Sequence, residues 1–115
     1  MKILIADEND DFLKWLSEII SGHNDECMSI TDGTSLDSIC KEYKPDILLL
    51  DLQIRNIDIF KTVKRIKKEN PGVVTMLVSG FNDIKLREEA EKAGAVFILK
   101  ENLFDFYSGL KEHTS

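Results

Sequence analysis

The chain has 115 residues, 43% of them hydrophobic and 31% charged, with a formal charge of −6; that fits one globular domain around one core and leaves no room for a second. The acidic balance argues against a nucleic-acid-binding surface as the main function, because phosphate contacts need clustered cations. No apolar run reaches the roughly 18 residues of a membrane span, no signal-peptide plan follows Met1, and Cys27 and Cys40 have neither metal-ligand spacing nor the number for a disulfide framework, so a soluble protein in a reduced, cytoplasmic setting is expected, with no direct nucleic-acid or membrane partner.

The first apolar run, ILIA at 3–6, has strand length and leads into DENDD. Phe12, Leu16 and Ile19, widened by Leu13 and Ile20, follow at helical spacing up to Gly22, with Trp15 at the stripe's margin as a packing residue first and a docking contact second. CMSI at 27–30 alternates apolar with polar residues and reads as an edge strand. Leu36, Ile39, Cys40 and Tyr43 predict a second helix, with capping-box spacing between Thr34 and Asp37 and a stop at Pro45; both cysteines are expected to be small buried hydrophobes. ILLL at 47–50 is a buried strand that runs straight into Asp51.

The basic run at 61–68 sits toward the end of a third helix and is read as a solvated face, ended by Pro71-Gly72. VVTMLV at 73–78 is the fourth strand, and Leu86, Ala90 and Ala93 mark a fourth helix that Gly94 ends. AVFIL at 95–99 is the fifth strand. In the last segment Leu103, Tyr107 and Leu110 share one helical face, Phe104 falls off it, and Gly109 weakens the helix by about 1 kcal/mol relative to alanine.

Five strands alternating with five helices predict a single α/β domain, (βα)5 and doubly wound. Continuously apolar strands imply a parallel sheet covered on both faces, in the flavodoxin-like order 2-1-3-4-5. An ordinary dinucleotide site is disfavoured: the first strand is followed by acids, with no G-x-G-x-x-G and no P-loop. In such a sheet all strands end on one edge, where ligands bind. The residues there are Asp7 and Glu8 after strand 1, Asp51 after strand 3, Ser79 after strand 4 and Lys100 after strand 5.

Three converging carboxylates repel, by roughly 4 kcal/mol for a pair about 4 Å apart at an effective dielectric of 20, so either their pKa values rise or a cation sits among them. Lys100 offsets one charge, and a hard divalent ion, Mg²⁺ above all, suits the rest. The bland alternative is that the three acids cap the following helices. A carboxylate beside Mg²⁺ and lysine is suited to attack phosphorus and form an acyl phosphate, with the hydroxyl bonding a phosphoryl oxygen. Neither His23 nor His113 lies near a strand end, which argues against a hydrolytic triad; both are read as solvated.

These segments resemble a response-regulator receiver domain, the CheY-like phosphoacceptor of two-component signalling: MKILIADEN its opening strand and acidic pair, KPDILLLDLQ its phosphoacceptor strand, MLVSG its switch hydroxyl, AGAVFILK its lysine strand. The resemblance spans residues 1–115 and implies a receiver with no output domain. It implies that Asp51 accepts a phosphoryl group from a sensor histidine kinase or phosphotransfer protein. Asp51 and Glu8 would bind Mg²⁺ with the backbone carbonyl of Gln53, Asp7 acting through water, while Ser79 and Lys100 contact the phosphoryl oxygens.

The resemblance also implies that Phe97 is the switch aromatic, and that helix 4, strand 5 and helix 5 form a face for a downstream protein or a homodimer, with Phe104 a candidate contact. Phe81, two residues after Ser79, borders the phosphoryl group by the same resemblance; its bulk either hinders water and lengthens the acyl-phosphate lifetime, or packs on the following helix. Glu8 and Ser79 replace the commoner aspartate and threonine, Arg55 and Ile59 a usual proline and glycine, and Glu101 a frequent proline. Two other readings stand beside this one: a drifted receiver-like interaction module that signals without phosphate, and a small aspartate-nucleophile phosphatase. The second is disfavoured because Gln53 leaves no acid two residues after Asp51.

Overall fold

The computed structural model describes residues 1–114, with side chains through Leu110. Strands β1 (Lys2–Ala6), β2 (Glu26–Ile30), β3 (Ile47–Asp51), β4 (Val74–Ser79) and β5 (Val96–Leu99) alternate with helices α1 (Asp10–Gly22), α2 (Leu36–Tyr43), α3 (Ile59–Glu69), α4 (Ile84–Lys92) and α5 (Leu103–Thr114). The sheet is parallel in the order β2-β1-β3-β4-β5, as expected from the apolar runs. The edge strand β2 is the half-exposed one.

Strand side chains alternate between faces, and this divides the core in two. Leu4, Ala6, Leu48, Leu50, Leu77 and Phe97 pack under α2, α3 and α4, against Leu36, Cys40, Val63, Ile66 and Ala90. Ile3, Ile5, Ile47, Leu49, Met76 and Val78 pack on the other face, against Leu13, Leu16 and Ile20 of α1 and Leu103 and Tyr107 of α5. The α1 stripe is therefore centred on Leu13, Leu16 and Ile20, and Phe12 and Ile19 lie at its flanks.

Several local expectations change. The Thr34 capping box does not form: Ser35 is the α2 N-cap without a side-chain bond, and the Thr34 N–H instead donates to Asp32 Oδ1 at 2.8 Å, a local Asx turn that competes with the cap. Gly22 ends α1, but the left-handed residue is Asn24, at φ 60°. Gly94 does take φ 89°, where it ends α4. Cys40 is buried, and burial pushes its thiol up to about 11; Cys27, on the edge strand, is only half-buried. The basic residues of α3 face solvent, except that Arg65 pairs with Asp37 at 2.6 Å and Lys67 donates to the Gly94 carbonyl at 3.1 Å. His23 is exposed with its ring edge-on to Tyr107; the side chain of His113 lies outside the described residues. No helix among the described residues is long and apolar enough to cross a membrane.

Candidate functional site

The parallel register aligns the strand ends on one edge. Ala6 pairs with Leu50, Asp51 with Val78 and Ser79 with Leu99, so Asp7, Asp51, Ser79 and Lys100 leave the sheet side by side. None of the acids is a helix N-cap. Asn9 caps α1 by accepting from Phe12 N, and Asp58 caps α3 by accepting from Lys61 N, which removes the cap-only reading of Asp7, Glu8 and Asp51.

Lys100, at the start of a 3₁₀ turn over Lys100–Asn102, sends its ammonium between two carboxylates, 2.9 Å from Asp7 Oδ2 and 3.5 Å from Asp51 Oδ2. Asp7 is 2% exposed. Its Oδ1 accepts from Asn9 N at 2.9 Å, while Oδ2 has the lysine charge beside it but no aligned hydrogen bond. Asp51 Oδ1 accepts from Gln53 N at 3.0 Å. Burial raises the Asp51 pKa above the usual carboxylate value; the Gln53 N–H opposes this, the charge of Asp7 adds to it, and Lys100 opposes it in turn. Burial alone would lower the lysine, but Asp7 and Asp51 outweigh it and hold Lys100 above its ordinary value. Two anions thus share one cation, which leaves the cluster with one uncompensated negative charge.

Ser79 is buried, and its hydroxyl is occupied locally, donating to the Phe81 carbonyl at 2.8 Å and accepting from Phe81 N at 3.0 Å. Phe97 is buried on the same sheet face as Leu77, with the Arg87 guanidinium 4.8 Å from its ring centroid. Phe81 is 69% exposed, so it does not pack on α4 in the way one reading expected. Trp15 and Phe104 are both exposed, Trp15 with its ring 6.0 Å from that of Phe12.

Glu8 departs from the expected cluster. Its Oε1 accepts from Arg55 Nε at 2.7 Å and from the Arg55 backbone N–H at 3.2 Å. Among the described residues no three acidic, histidine or cysteine side chains stand together as a ready metal cage. The donor chemistry still suits a hard cation: Asp7 Oδ2 is buried without an aligned hydrogen bond, and Asp51 Oδ2 has the lysine at the longer distance of 3.5 Å.

Two residues of the site were not singled out from sequence. Phe12 places its ring 4.3 Å from the Lys100 ammonium, a cation–π contact that fixes the lysine from the α1 side; in sequence it read only as a core residue of the α1 stripe. Arg55 read only as a missing proline, and its partnership with Glu8 spans 47 residues.

Residues 3–104 match the family described as the response regulator receiver domain. Among curated proteins, the sporulation initiation phosphotransferase F of Bacillus subtilis is 26% identical over 96 residues, covering 83% of this chain and 77% of that protein. The transcriptional regulatory protein ZraR of Salmonella typhimurium is 26% identical over 104 residues; the match covers 90% of this chain but only 24% of the much longer relative. Among solved structures, the signal receiver domain of a DNA-binding response regulator from Colwellia psychrerythraea superposes with a TM-score of 0.88 at 18% identity, covering 99% of this chain and 98% of that one. At that identity the likeness shows the fold alone.

Proposed function

The chain belongs to the response regulator receiver domains, and from that premise we propose that Asp51 is its phosphoacceptor and the chain a phosphorylation-dependent switch. Receiver domains are regulatory phosphoacceptors of two-component systems, partnered by histidine kinases or phosphotransfer proteins, and typically bind Mg²⁺ at the phosphorylation site. The observation that carries the reading for this chain is the shared ammonium: Lys100 lies between a fully buried Asp7 and a more accessible Asp51.

In the proposed reaction an Asp51 carboxylate oxygen attacks the phosphorus of a partner's phosphohistidine. The new O–P bond replaces the P–N bond, whose electron pair stays on the imidazole nitrogen and takes up a proton. Oδ2 is the candidate nucleophile, because Oδ1 is engaged by the Gln53 N–H. Lys100 neutralises charge on the moving phosphoryl group, and the Ser79 hydroxyl leaves the Phe81 carbonyl to donate to a phosphoryl oxygen. Asp7, Asp51, the Gln53 carbonyl and Glu8, once it leaves Arg55, would hold Mg²⁺. When bound, the ion supplies positive charge to the transferring phosphoryl oxygens.

Withdrawing the Ser79 hydroxyl vacates space on the face that Phe97 shares, which makes Phe97 the candidate relay toward α4, β5 and α5. An open groove there is lined by Arg87, Phe97, Asn102, Asp105 and Phe106, with Phe104 exposed nearby; it is the proposed surface for a downstream protein or a second copy of the chain. Phe81, exposed two residues after Ser79, would limit water access to an acyl phosphate. The test is exposure to Mg²⁺ with beryllium fluoride or acetyl phosphate, followed by mass spectrometry and tryptophan fluorescence. An adduct in wild type that Asp51→Asn lacks is expected; an adduct independent of Asp51, or none, refutes the assignment.

A further inference from the structure

The Glu8–Arg55 clasp is more than an incidental surface pair, because the β3–α3 loop is built to hold Arg55 in place. Ile54 is buried on one side of it, and Asn56 turns the chain on the other at φ 70°. Gly33 N donates to the Arg55 carbonyl at 2.9 Å. A Cβ at Gly33 would clash with Ile57 Cγ2 and stand 3.0 Å from the Arg55 carbonyl oxygen, so the glycine is what lets the two loops close together. Arg55 then meets a single oxygen of Glu8 with both its backbone N–H and Nε.

The geometry points to Arg55 as a built-in competitor for the divalent cation: it occupies the Glu8 carboxylate in the metal-free protein and sets the metal affinity of the Asp7–Asp51 site. This rests on the metal-dependent reading proposed above and adds a determinant to it. Glu8 cannot serve a metal and Arg55 Nε with the same oxygen, since the bond to Arg55 must lengthen before a cation takes that position. The guanidinium also places a positive charge beside the site, which repels an incoming cation until the side chain swings out. It can swing freely, being 76% exposed, so the competition weakens binding without abolishing it.

The consequence is a graded device. At low Mg²⁺ the Arg55 side chain is held on Glu8; at high Mg²⁺ it is released beside the phosphoacceptor. An exposed ion pair of this kind is worth about a fivefold change in a competing equilibrium.

The test uses the full chain with MgCl2 as the probe, by isothermal titration calorimetry and by melting temperature in EDTA and in saturating Mg²⁺. Wild type, Arg55→Ala, Arg55→Lys and Asp7→Asn are compared. Arg55→Ala should bind Mg²⁺ about fivefold more tightly, melt below wild type in EDTA, and close or reverse that gap in Mg²⁺. Arg55→Lys, which keeps the charge, should fall between. Mg²⁺ binding by wild type that Asp7→Asn loses but Arg55→Ala leaves unchanged overturns the competition and spares the metal site. So does an EDTA melting gap that persists unaltered in Mg²⁺, the mark of a purely structural pair. Absence of binding in wild type and Arg55→Ala alike overturns both readings.

Discussion

Replacing Asp51 by asparagine should stabilise the metal-free protein. At an effective dielectric of 20, the 3.5 Å contact to Lys100 is worth roughly 5 kcal/mol of attraction to Asp51. Asp7 and Asp51 oxygens flank that ammonium at 2.9 and 3.5 Å, so they lie no more than the sum of those distances apart, and their repulsion is at least roughly 2.6 kcal/mol on the same scale. Removing the Asp51 side chain from water to 15% exposure adds a penalty of several kcal/mol more. The charge is therefore a net burden, in line with the raised Asp51 pKa, whose first cause is burial.

Asparagine keeps an oxygen for the Gln53 N–H and drops the charge, for a gain of about 1 kcal/mol, or about 4 °C in a domain of this size. The pH dependence has a definite sign. A carboxylate whose folded pKa is raised binds its proton more tightly in the folded state, so the native protein is favoured below the unfolded pKa and loses that advantage as pH rises through the folded one. The advantage of Asp51→Asn should hence be full at neutral pH and shrink as the wild-type acid is protonated. Mg²⁺ should raise the wild-type melting temperature more than the mutant's. Differential scanning calorimetry in EDTA across pH decides it, and a mutant less stable than wild type at neutral pH would contradict the charge-crowding argument.

Lys100→Met leaves the buried Asp7 with no cation beside it and should cost about 3 kcal/mol at neutral pH; urea unfolding checks this, and a variant as stable as wild type would refute it. Gly33→Ala forces Ile57 and the Arg55 carbonyl away from the new Cβ and should cost about 1 to 3 kcal/mol of overpacking, measured by the same denaturant method. Phe81→Ala removes an exposed side chain, so stability should stay within about 0.5 kcal/mol. Its acyl phosphate should decay about threefold faster, a barrier change of about 0.65 kcal/mol; decay no faster than wild type removes the water-shielding role.

Much of the scaffold is a local property of the chain. Runs such as ILLL at 47–50 are too short for helices and too apolar for any exposed element, so they become buried parallel strands, and a parallel sheet must deliver the residues after them to one edge. That is why Asp7, Asp51, Ser79 and Lys100 were legible as a set from their positions alone. The cap signals were less so. Thr34 has the right spacing, yet Asp32 captures its N–H and Ser35 becomes the α2 N-cap, while Asn9, Asp58 and Asp83 start α1, α3 and α4, because competing side-chain acceptors one or two residues apart look alike until the backbone turns.

What tertiary structure alone decided is how the charges are shared. From the sequence Asp7, Glu8 and Asp51 form one acidic cluster awaiting a cation. In the fold, Lys100 goes to Asp7 and Asp51, Phe12 covers the lysine, and Glu8 turns to Arg55. These pairings span dozens of residues, and that of Glu8 with Arg55 depends on a loop path fixed by Gly33, Ile54 and Asn56, which no periodicity records. The strand order brings the charges to one place, and the loops determine which of them meet.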